Sequence, residues 1–488
     1  MIATGIIILY CFLFFFVILF SIGQLALLLS YLFNKKSTVQ TIIPDQLPSL
    51  TIQLPVYNER FVIERLLDSI SKLNYPKNLM EIQLLDDSTD DTTLIAENKI
   101  KELNKSGFNI KHIHRTNRSG FKAGALQNGL INSSGEFIAI FDADFIPEKD
   151  FLHKTLVHFT ADNIGLVQTR WGFLNAANSW LTKAQQLALD GHFIIEQEGR
   201  YKGGYFMNFN GTAGIWRKSC ILDAGGWEPD TLTEDLDLSY RAQMKGWKFT
   251  YCPEIISPSE LPDNLNAVRS QQYRWVKGGV ETSKKLLSKL WNCNLSIPVK
   301  LFGSFHLLNN YIYIFILMTA ILSVPVMVIK NLQPEFESLF RWNILLIIIF
   351  LINFLYCFIA IRRNNKSILS SLIEISEKFP ITMIISLGMS YQNSKAIISG
   401  LIGKQSEFVR TPKLNSQLVE NEYLKEYTTN RLQIAELILF FYFLFAVSAG
   451  FYFNDYGFLI YHILILSGYG FVLTKDYKEN IRIRRKLH

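Results

Sequence analysis

Five cysteines in 488 residues, none in a C-x-x-C pair, leave no basis for a disulfide framework or a zinc site. Cys11 and Cys357 fall in long apolar runs, and Cys220, Cys252 and Cys293 in a stretch read as reduced cytosol. No GxxxxGK[ST] occurs, so a P-loop is excluded, and no glycine-rich strand-to-helix turn marks a dinucleotide site. No stripe of Arg and Lys interleaved with aromatics is present. The net charge of +7 therefore does not point to nucleic acid. Residues 1–34 contain no charged side chain. They also lack the basic start, the short apolar core and the following A-x-A of a cleaved leader, so they read as an anchor.

What is present is apolar. Hydrophobic residues make up 49% of the chain, and they concentrate at its two ends. Five runs approach the roughly 20 residues needed to cross a bilayer: 1–34, 301–329, 342–361, 437–454 and 456–474. Short basic clusters mark the cytosolic side. Lys35-Lys36, Arg362-Arg363 and the group Arg482, Arg484, Arg485 and Lys486 place the N-terminus outside and the C-terminus inside, with 330–341 and Asn454-Asp455 external. The expected organisation is a first span at 1–34, a cytosolic domain at 35–300 and two spans in 301–361. Cytosolic interfacial segments follow at 362–430, then two spans and a basic tail at 431–488. The apolar stretch 380–389 is too short to cross alone. The expected location is the inner (plasma) membrane.

Within 35–300 the first hundred residues alternate. Strands are expected at 49–54, 81–85, 109–114 and 136–141, and helices at 59–73, 91–104 and 122–131. Val62, Leu66, Ile70 and Leu73 share one face of the first of these helices. Such alternation implies βαβ units and a parallel sheet, whose ligands lie beyond the carboxyl ends of the strands. Three sequences fall at those ends: PVYNE (55–59), DDSTDDT (86–92) and DAD (142–144). Asp90 suits a helix cap, which leaves Asp86 and Asp87 as a ligand-facing pair. Asp142 and Asp144 form either a solvated acidic turn or, as alternate carboxylates after an apolar strand, a seat for a hard divalent cation.

These motifs, with FKAGAL (121–126), FDADF (141–145), TEDLDLSYR (233–241) and QQYRW (271–275), resemble in order those of glycosyltransferase family 2. More narrowly they are similar to its cellulose-synthase-like membrane branch. GKQSEFVRTPK (403–413) is similar to a segment of the plant cellulose-synthase-like A and C branches, and to the gating loop of cellulose synthases through Phe408, Arg410, Thr411 and Lys413. The resemblance implies an α/β GT-A (Rossmann-like) cytosolic domain, an all-α transmembrane bundle and an inverting mechanism. It implies nucleotide-sugar contacts from Pro55, Tyr57, Glu59, Asp86, Asp87, Lys122, Asp142 and Arg274, and Mg²⁺ or Mn²⁺ on Asp142 and Asp144. It assigns the general base to Asp235, with Glu234 and Asp237 raising its pKa. The acceptor set is Asn210, Gly211, Thr212, Glu234, Gln271 and Trp275, the indole stacking on a sugar face.

Blander readings stand beside these. TEDLDLS is also a helix start capped by Thr233, and QQYRW also suits an interface helix with Trp275 at headgroup level. His112 and His114 alternate on a strand without needing a metal, and Trp227 and Trp247 read as packing. His306, Asn309 and Asn310 are expected to face the bundle interior. The implied function is transfer from UDP-glucose or GDP-mannose to a growing β-linked polysaccharide, processive and coupled to secretion, with export subunits as candidate partners. Single addition to a lipid-linked acceptor and a non-catalytic export channel are the alternatives. Residues 475–488 are too few for the cyclic-dinucleotide domain of bacterial cellulose synthases, so that regulation is not expected.

Overall fold

In the computed structural model, which describes residues 1–34, 41, 46–333, 335–336, 344–363, 367–404 and 434–487, alternation within the first strand sets the architecture. In β1 (Leu50–Val56), Leu50, Ile52, Leu54 and Val56 pack into one core with α2 (Ile63–Ser71) and α3 (Thr92–Lys105). The opposite face carries Thr51 and Gln53, both fully buried. They bond across the sheet: Thr51 Oγ1 donates to Glu81 at 2.9 Å, and Gln53 Nε2 to Gln83 Oε1 at 3.1 Å. A strand buried on both faces belongs inside a sheet. β1 accordingly lies between β2 (Met80–Asp86) and β4 (Phe137–Ile140), parallel to both, with β3 (Asn109–His114) beyond β2. α4 (Phe121–Ile131) covers the polar face so closely that a Cβ on Gly129 would stand 2.6 Å from Gln53 Nε2.

All seven expected elements form. α2 starts at Ile63 rather than at 59, because Asn58 takes φ 55° and the Val62 N–H turns back onto the Glu59 carbonyl. Asp90 accepts from the Thr92 N–H at the head of α3, as a cap should.

The second half of the domain lies beyond the sequence expectation. It contains α5 (Phe151–Leu156), β5 (Ile164–Phe173), α6 (Trp180–Asp190), a π-helical turn Gly191–Gln197, and α7 (Glu198–Gly203). Then come β6 (Gly214–Arg217), α8 (Lys218–Asp223), α9 (Glu234–Met244) and β7 (Lys248–Ser259). The seven strands run β3-β2-β1-β4-β6-β5-β7. β6 is antiparallel to both neighbours, while β5 and β7 are parallel. A second core fills the α4 side of the sheet, where Trp216 and Trp227 pack with Leu126, Ile221 and Leu238. Trp247 donates to Asp223 at 2.9 Å.

Among the described residues, four helical segments are long and apolar enough to cross a membrane. They are α1 (Ile2–Phe33), the pair α11 (Ile297–Leu308) and α12 (Ile312–Leu332), α13 (Ile344–Arg362) and α16 (Ile434–Tyr452). A 3₁₀ turn, Asn309–Tyr311, breaks the second segment where polar residues were expected to face the interior. Asn310 abuts Gly279, and His306 Nδ1 is 2.9 Å from the Tyr240 hydroxyl. The fifth expected run opens α17 (Leu459–Leu487), which is not among those four segments. All of the 380–389 stretch but Met389 lies within α14 (Ile368–Gly388), whose Gly388 touches the backbone of Gly468 on α17. α14 also meets α6 through Lys183–Glu377 at 2.9 Å and Lys378–Gln186 at 2.9 Å.

α10 (Leu265–Asn292) joins the two parts. Near its start, buried Arg269 donates to Asp476 of α17 at 2.7 and 2.8 Å and to Glu436 of α16 at 2.8 and 3.1 Å. Gln392 of α15 (Ser390–Ile402) donates to the same Glu436 at 3.0 Å. Phe408, Arg410, Thr411 and Lys413 lie outside the described residues, as do Lys35 and Lys36.

Candidate active site

The carboxyl ends of β1, β2 and β4 open on one cavity, as the alternation implied. Pro55, Tyr57 and Glu59 line it after β1, and the Arg118 guanidinium lies 3.4 Å above the Tyr57 ring centroid. Asp87 also lines it, held by Arg115 through two bonds of 2.7 and 2.6 Å. Asp86 does not. Fully buried at the end of β2, it faces β3, with Oδ2 2.9 Å from His112 Nε2 and 3.3 Å from His114 Nδ1. Burial pushes its pKa up, but hydrogen bonds from His112 and Ser88 outweigh this and hold the carboxyl below its usual range. The two histidines thus brace a carboxylate behind the cavity wall.

After β4, Asp142 and Asp144 both reach the cavity. Lys122 Nζ donates to Asp142 Oδ1 at 2.7 Å and to the Gly211 carbonyl at 2.9 Å. Although burial lowers the lysine pKa, the charges of Asp142, Glu234 and Asp235 raise it further, so Lys122 stays cationic. Gly211 takes φ 80°, and a Cβ there would sit 3.1 Å from Asp235 Oδ2 and 3.4 Å from Lys122 Nζ. Only glycine fits that junction. Thr212, expected at the acceptor, is fully buried and does not line the cavity. Its Oγ1 accepts the Asp142 N–H at 2.9 Å and fixes the acidic loop from behind.

Glu234 and Asp235 open α9. Burial first, then the Glu234 charge, push the Asp235 carboxyl up to about 7 against the pull of Lys122. Burial pushes Glu234 up as well. Asp237, expected to add to this shift, is engaged elsewhere. It turns away to Arg241 at 2.7 Å and Lys285 at 2.9 Å, and Lys285 also fills the carboxylate trio that Asp237 forms with Glu228 and Asp230. Nor does the Thr233 side chain cap the helix, since its hydroxyl pairs with Thr282 of α10 at 2.9 Å.

Gln271, Arg274 and Trp275 fall on one face of α10 by their spacing, and all three line the cavity. The opposite face buries Val276 and Val280 against Ala396 and Ile397 of α15. Trp275 remains 37% exposed, its ring available to a ligand. Asn210 also lines the cavity, its N–H donating to Gln168 Oε1 at 3.0 Å. Sequence reasoning missed Arg118, Trp171, Asn175 and Asn178, and the stretch Glu260–Asp263 after β7, all of which line the same cavity. Only a correct placement of β5 and β7 could have found the last four of these groups.

Comparison with known proteins bears on the family and the fold. Residues 48–278 match the family described as "Glycosyltransferase like family 2". The probable glucomannan 4-beta-mannosyltransferase 2 of Oryza sativa subsp. japonica is 34% identical over 455 residues, covering 88% of this chain and 75% of the relative. Glucomannan 4-beta-mannosyltransferase 7 of Arabidopsis thaliana is 34% identical over 457 residues, covering 87% and 77%. Among solved structures, the mannosyltransferase PcManGT from Pyrobaculum calidifontis in complex with GDP-Man and Mn²⁺ superposes with a TM-score of 0.52. At 18% identity it covers 80% of this chain and 100% of the other, and it shares the fold.

Proposed function

Because the chain belongs to the cellulose-synthase-like membrane branch of glycosyltransferase family 2 and is a hexosyltransferase, we propose that it moves mannose from GDP-mannose to the growing end of a β-1,4-linked mannan or glucomannan, with inversion. The mannosyltransferase relatives support the donor over UDP-glucose. The observation that carries the chemistry is Asp235, a carboxylate with its pKa near 7 beside Gly211 and Lys122 at the base of the cavity. A base poised at that value accepts a proton from a sugar hydroxyl and remains ionised half the time at neutral pH.

The other residues divide by chemistry. Asp142 and Asp144 fit a divalent cation such as Mg²⁺ or Mn²⁺, being two carboxylates open to the cavity with coordination left for diphosphate oxygens. Bound there, the ion would neutralise the leaving diphosphate as a Lewis acid. Lys122, pinned between Asp142 and the Gly211 carbonyl, adds a fixed positive charge. Arg274 presents a planar fork to the same group. Tyr57 beneath Arg118, with the Asp87–Arg115 pair, offers a flat and polar bed for the nucleoside. Trp275 and Gln271 take the acceptor end, with Asn210 in the cavity wall and Gly211 beside the base.

In this reading α17 completes a fifth crossing, the catalytic domain is cytosolic and the polymer leaves as it grows. The test uses full-length protein in lipid nanodiscs with radiolabelled GDP-mannose or UDP-glucose and Mn²⁺. Label from GDP-mannose in a ladder that endo-β-1,4-mannanase digests is the expected result. Incorporation from UDP-glucose alone, or a mannanase-resistant product, refutes the donor and linkage, and a product one sugar longer than its acceptor refutes processivity.

A further inference from the structure

Between α6 and α7 the helix widens into the π-helical turn Gly191–Gln197. Such turns are rare and recur at functional sites. This one carries His192 and Glu196, with His192 Nδ1 2.9 Å from Glu196 Oε2 and His192 Nε2 3.0 Å from Asn210 Oδ1. Neither residue belongs to any motif that carried the family resemblance.

The hydrogen bonds fix the sense of the chain. Asn208 Nδ2 donates to the Phe209 carbonyl at 3.2 Å, which can only accept, and to Asn210 Oδ1 at 3.0 Å. Asn210 Oδ1 is therefore an acceptor, and His192 Nε2 must carry the proton between them. Burial pushes Glu196 up, but its bond with His192 and the nearby positive charge hold it below the usual carboxylate range, so it accepts from Nδ1–H, and with both ring nitrogens donating His192 is the cationic partner of this carboxylate. Tyr356 of α13 closes the back, donating to the Gly191 carbonyl at 2.9 Å. Gln168 holds the backbone of the same loop, accepting from Asn210 N–H at 3.0 Å and donating to the Thr212 and Ala213 carbonyls at 3.2 and 3.1 Å. The Asn210 side-chain amide is left to be set by His192 together with Asn208.

The remaining group on that amide is Nδ2. It is buried and has no protein partner among the described residues, although Asn210 lines the cavity. An unmet buried donor is costly. The next residue, Gly211, is the one on which Asp235 and Lys122 converge. An acceptor hydroxyl must approach Asp235 to lose its proton, so the cavity-lining residue next to Gly211 is placed to meet the acceptor sugar. We propose that His192, locked by Glu196, is a positioning residue for the glycan acceptor: it turns the Asn210 amide so that its NH₂ donates to a hydroxyl or ring oxygen at the chain end. This rests on the glycosyl-transfer reading of the cavity.

The test compares His192→Phe, His192→Gln, Glu196→Ala and Glu196→Gln in the full-length protein in nanodiscs, with GDP-mannose as donor and β-1,4-mannohexaose as acceptor. Donor KM, donor hydrolysis in the absence of acceptor, and acceptor KM are measured separately. His192→Phe removes both bonds and should raise acceptor KM on the order of tenfold while donor KM moves by less than about twofold. His192→Gln places an amide N–H near the position of Nε2 and should recover most of the loss. Glu196→Gln still accepts from Nδ1 and should stay close to wild type, whereas Glu196→Ala frees the ring and should behave like His192→Phe. Glu196→Ala also decides the matter if the phenylalanine variant does not fold. An unchanged acceptor KM in the disruptive variants, or a donor KM that rises in step with it, overturns the positioning role. A wild-type protein that neither hydrolyses GDP-mannose nor extends the oligosaccharide overturns the parent reading and this one with it.

Discussion

Replacing Asp235 by Asn removes the proposed base while keeping the shape and the hydrogen-bond reach of the side chain. Asp235 stands at the first turn of α9, with Oδ1 accepting the Leu236 N–H at 2.8 Å, and the amide oxygen can make that bond as well. The fold should therefore survive. Burial of an ionised carboxylate is what raises its pKa, so the substitution also relieves a cost that the native protein carries above the unfolded value of the group. Thermal stability of the variant at pH 8 should equal or exceed that of the wild type. Turnover should fall by about 10²–10⁴-fold, the usual worth of a general base. The wild-type profile supplies a second measure. With the carboxyl at about 7 in the folded protein, only the ionised form is active, and the rate should climb as pH rises through that value. Henderson–Hasselbalch populations make kcat/KM about tenfold lower at pH 6 than at pH 8. Glu234→Gln should shift this limb to lower pH, because the Glu234 charge is the second cause of the shift after burial. The assay is radiolabelled polymer yield from GDP-mannose between pH 5.5 and 8.5. A variant within about threefold of wild type, or a flat wild-type profile, would refute the assignment of the base.

Asp144→Ala should abolish transfer, and chelation of wild-type membranes with EDTA should do the same until Mg²⁺ or Mn²⁺ is restored. Full activity in excess EDTA would exclude a cation at the acidic pair. Trp275→Leu should lose polymer while nucleotide affinity, measured by calorimetry, stays near wild type, because the donor groups other than Arg274 lie on other elements and Arg274 itself is retained. Normal polymer from the leucine variant would show that the indole serves only as packing. Gly211→Ala should fold yet lose turnover by about two orders of magnitude, since its methyl would press on Asp235 and Lys122 from a left-handed backbone. A wild-type rate there would mean that the two groups do not act together.

The parallel half of the sheet could be read from sequence because β1 and β2 carry an apolar residue at every second position and the strands are separated by helical stretches. α2 shows why: Ile63, Leu66, Leu67 and Ile70 bury one side, and the helix declares itself. The other half could not be read so. β6 is four residues long in a glycine-rich stretch, and it pairs with β4 and β5 by contacts distant in sequence. With β5 and β7 unplaced, Asn175, Asn178 and Glu260 had no strand end to mark them. The motif residues fared better, because Asp142, Asp144, Asp235 and Trp275 all meet at one cavity. Where a motif residue missed, a neighbour explains it. Asp86 is drawn off by His112 and His114, and Thr212 spends its hydroxyl on the Asp142 backbone. His192 and Glu196 gave no signal, since a π-helical turn leaves no periodic trace in the sequence.

The buried guanidinium of Arg269 limits how this chain can be altered. Its two carboxylate partners come 167 and 207 residues later, on separate helices. Losing Arg269 strands two carboxylates inside the protein, a loss of about 3–5 kcal/mol, whereas losing one carboxylate leaves the guanidinium paired with the other. Replacement of Arg269 alone is therefore nearly closed, while joint replacement of all three by apolar residues of matching volume is open. Chimeras inherit the same condition. A catalytic domain taken from a relative and joined to these membrane helices must bring a cation to the place of Arg269, or the helices must give up Glu436 and Asp476 together.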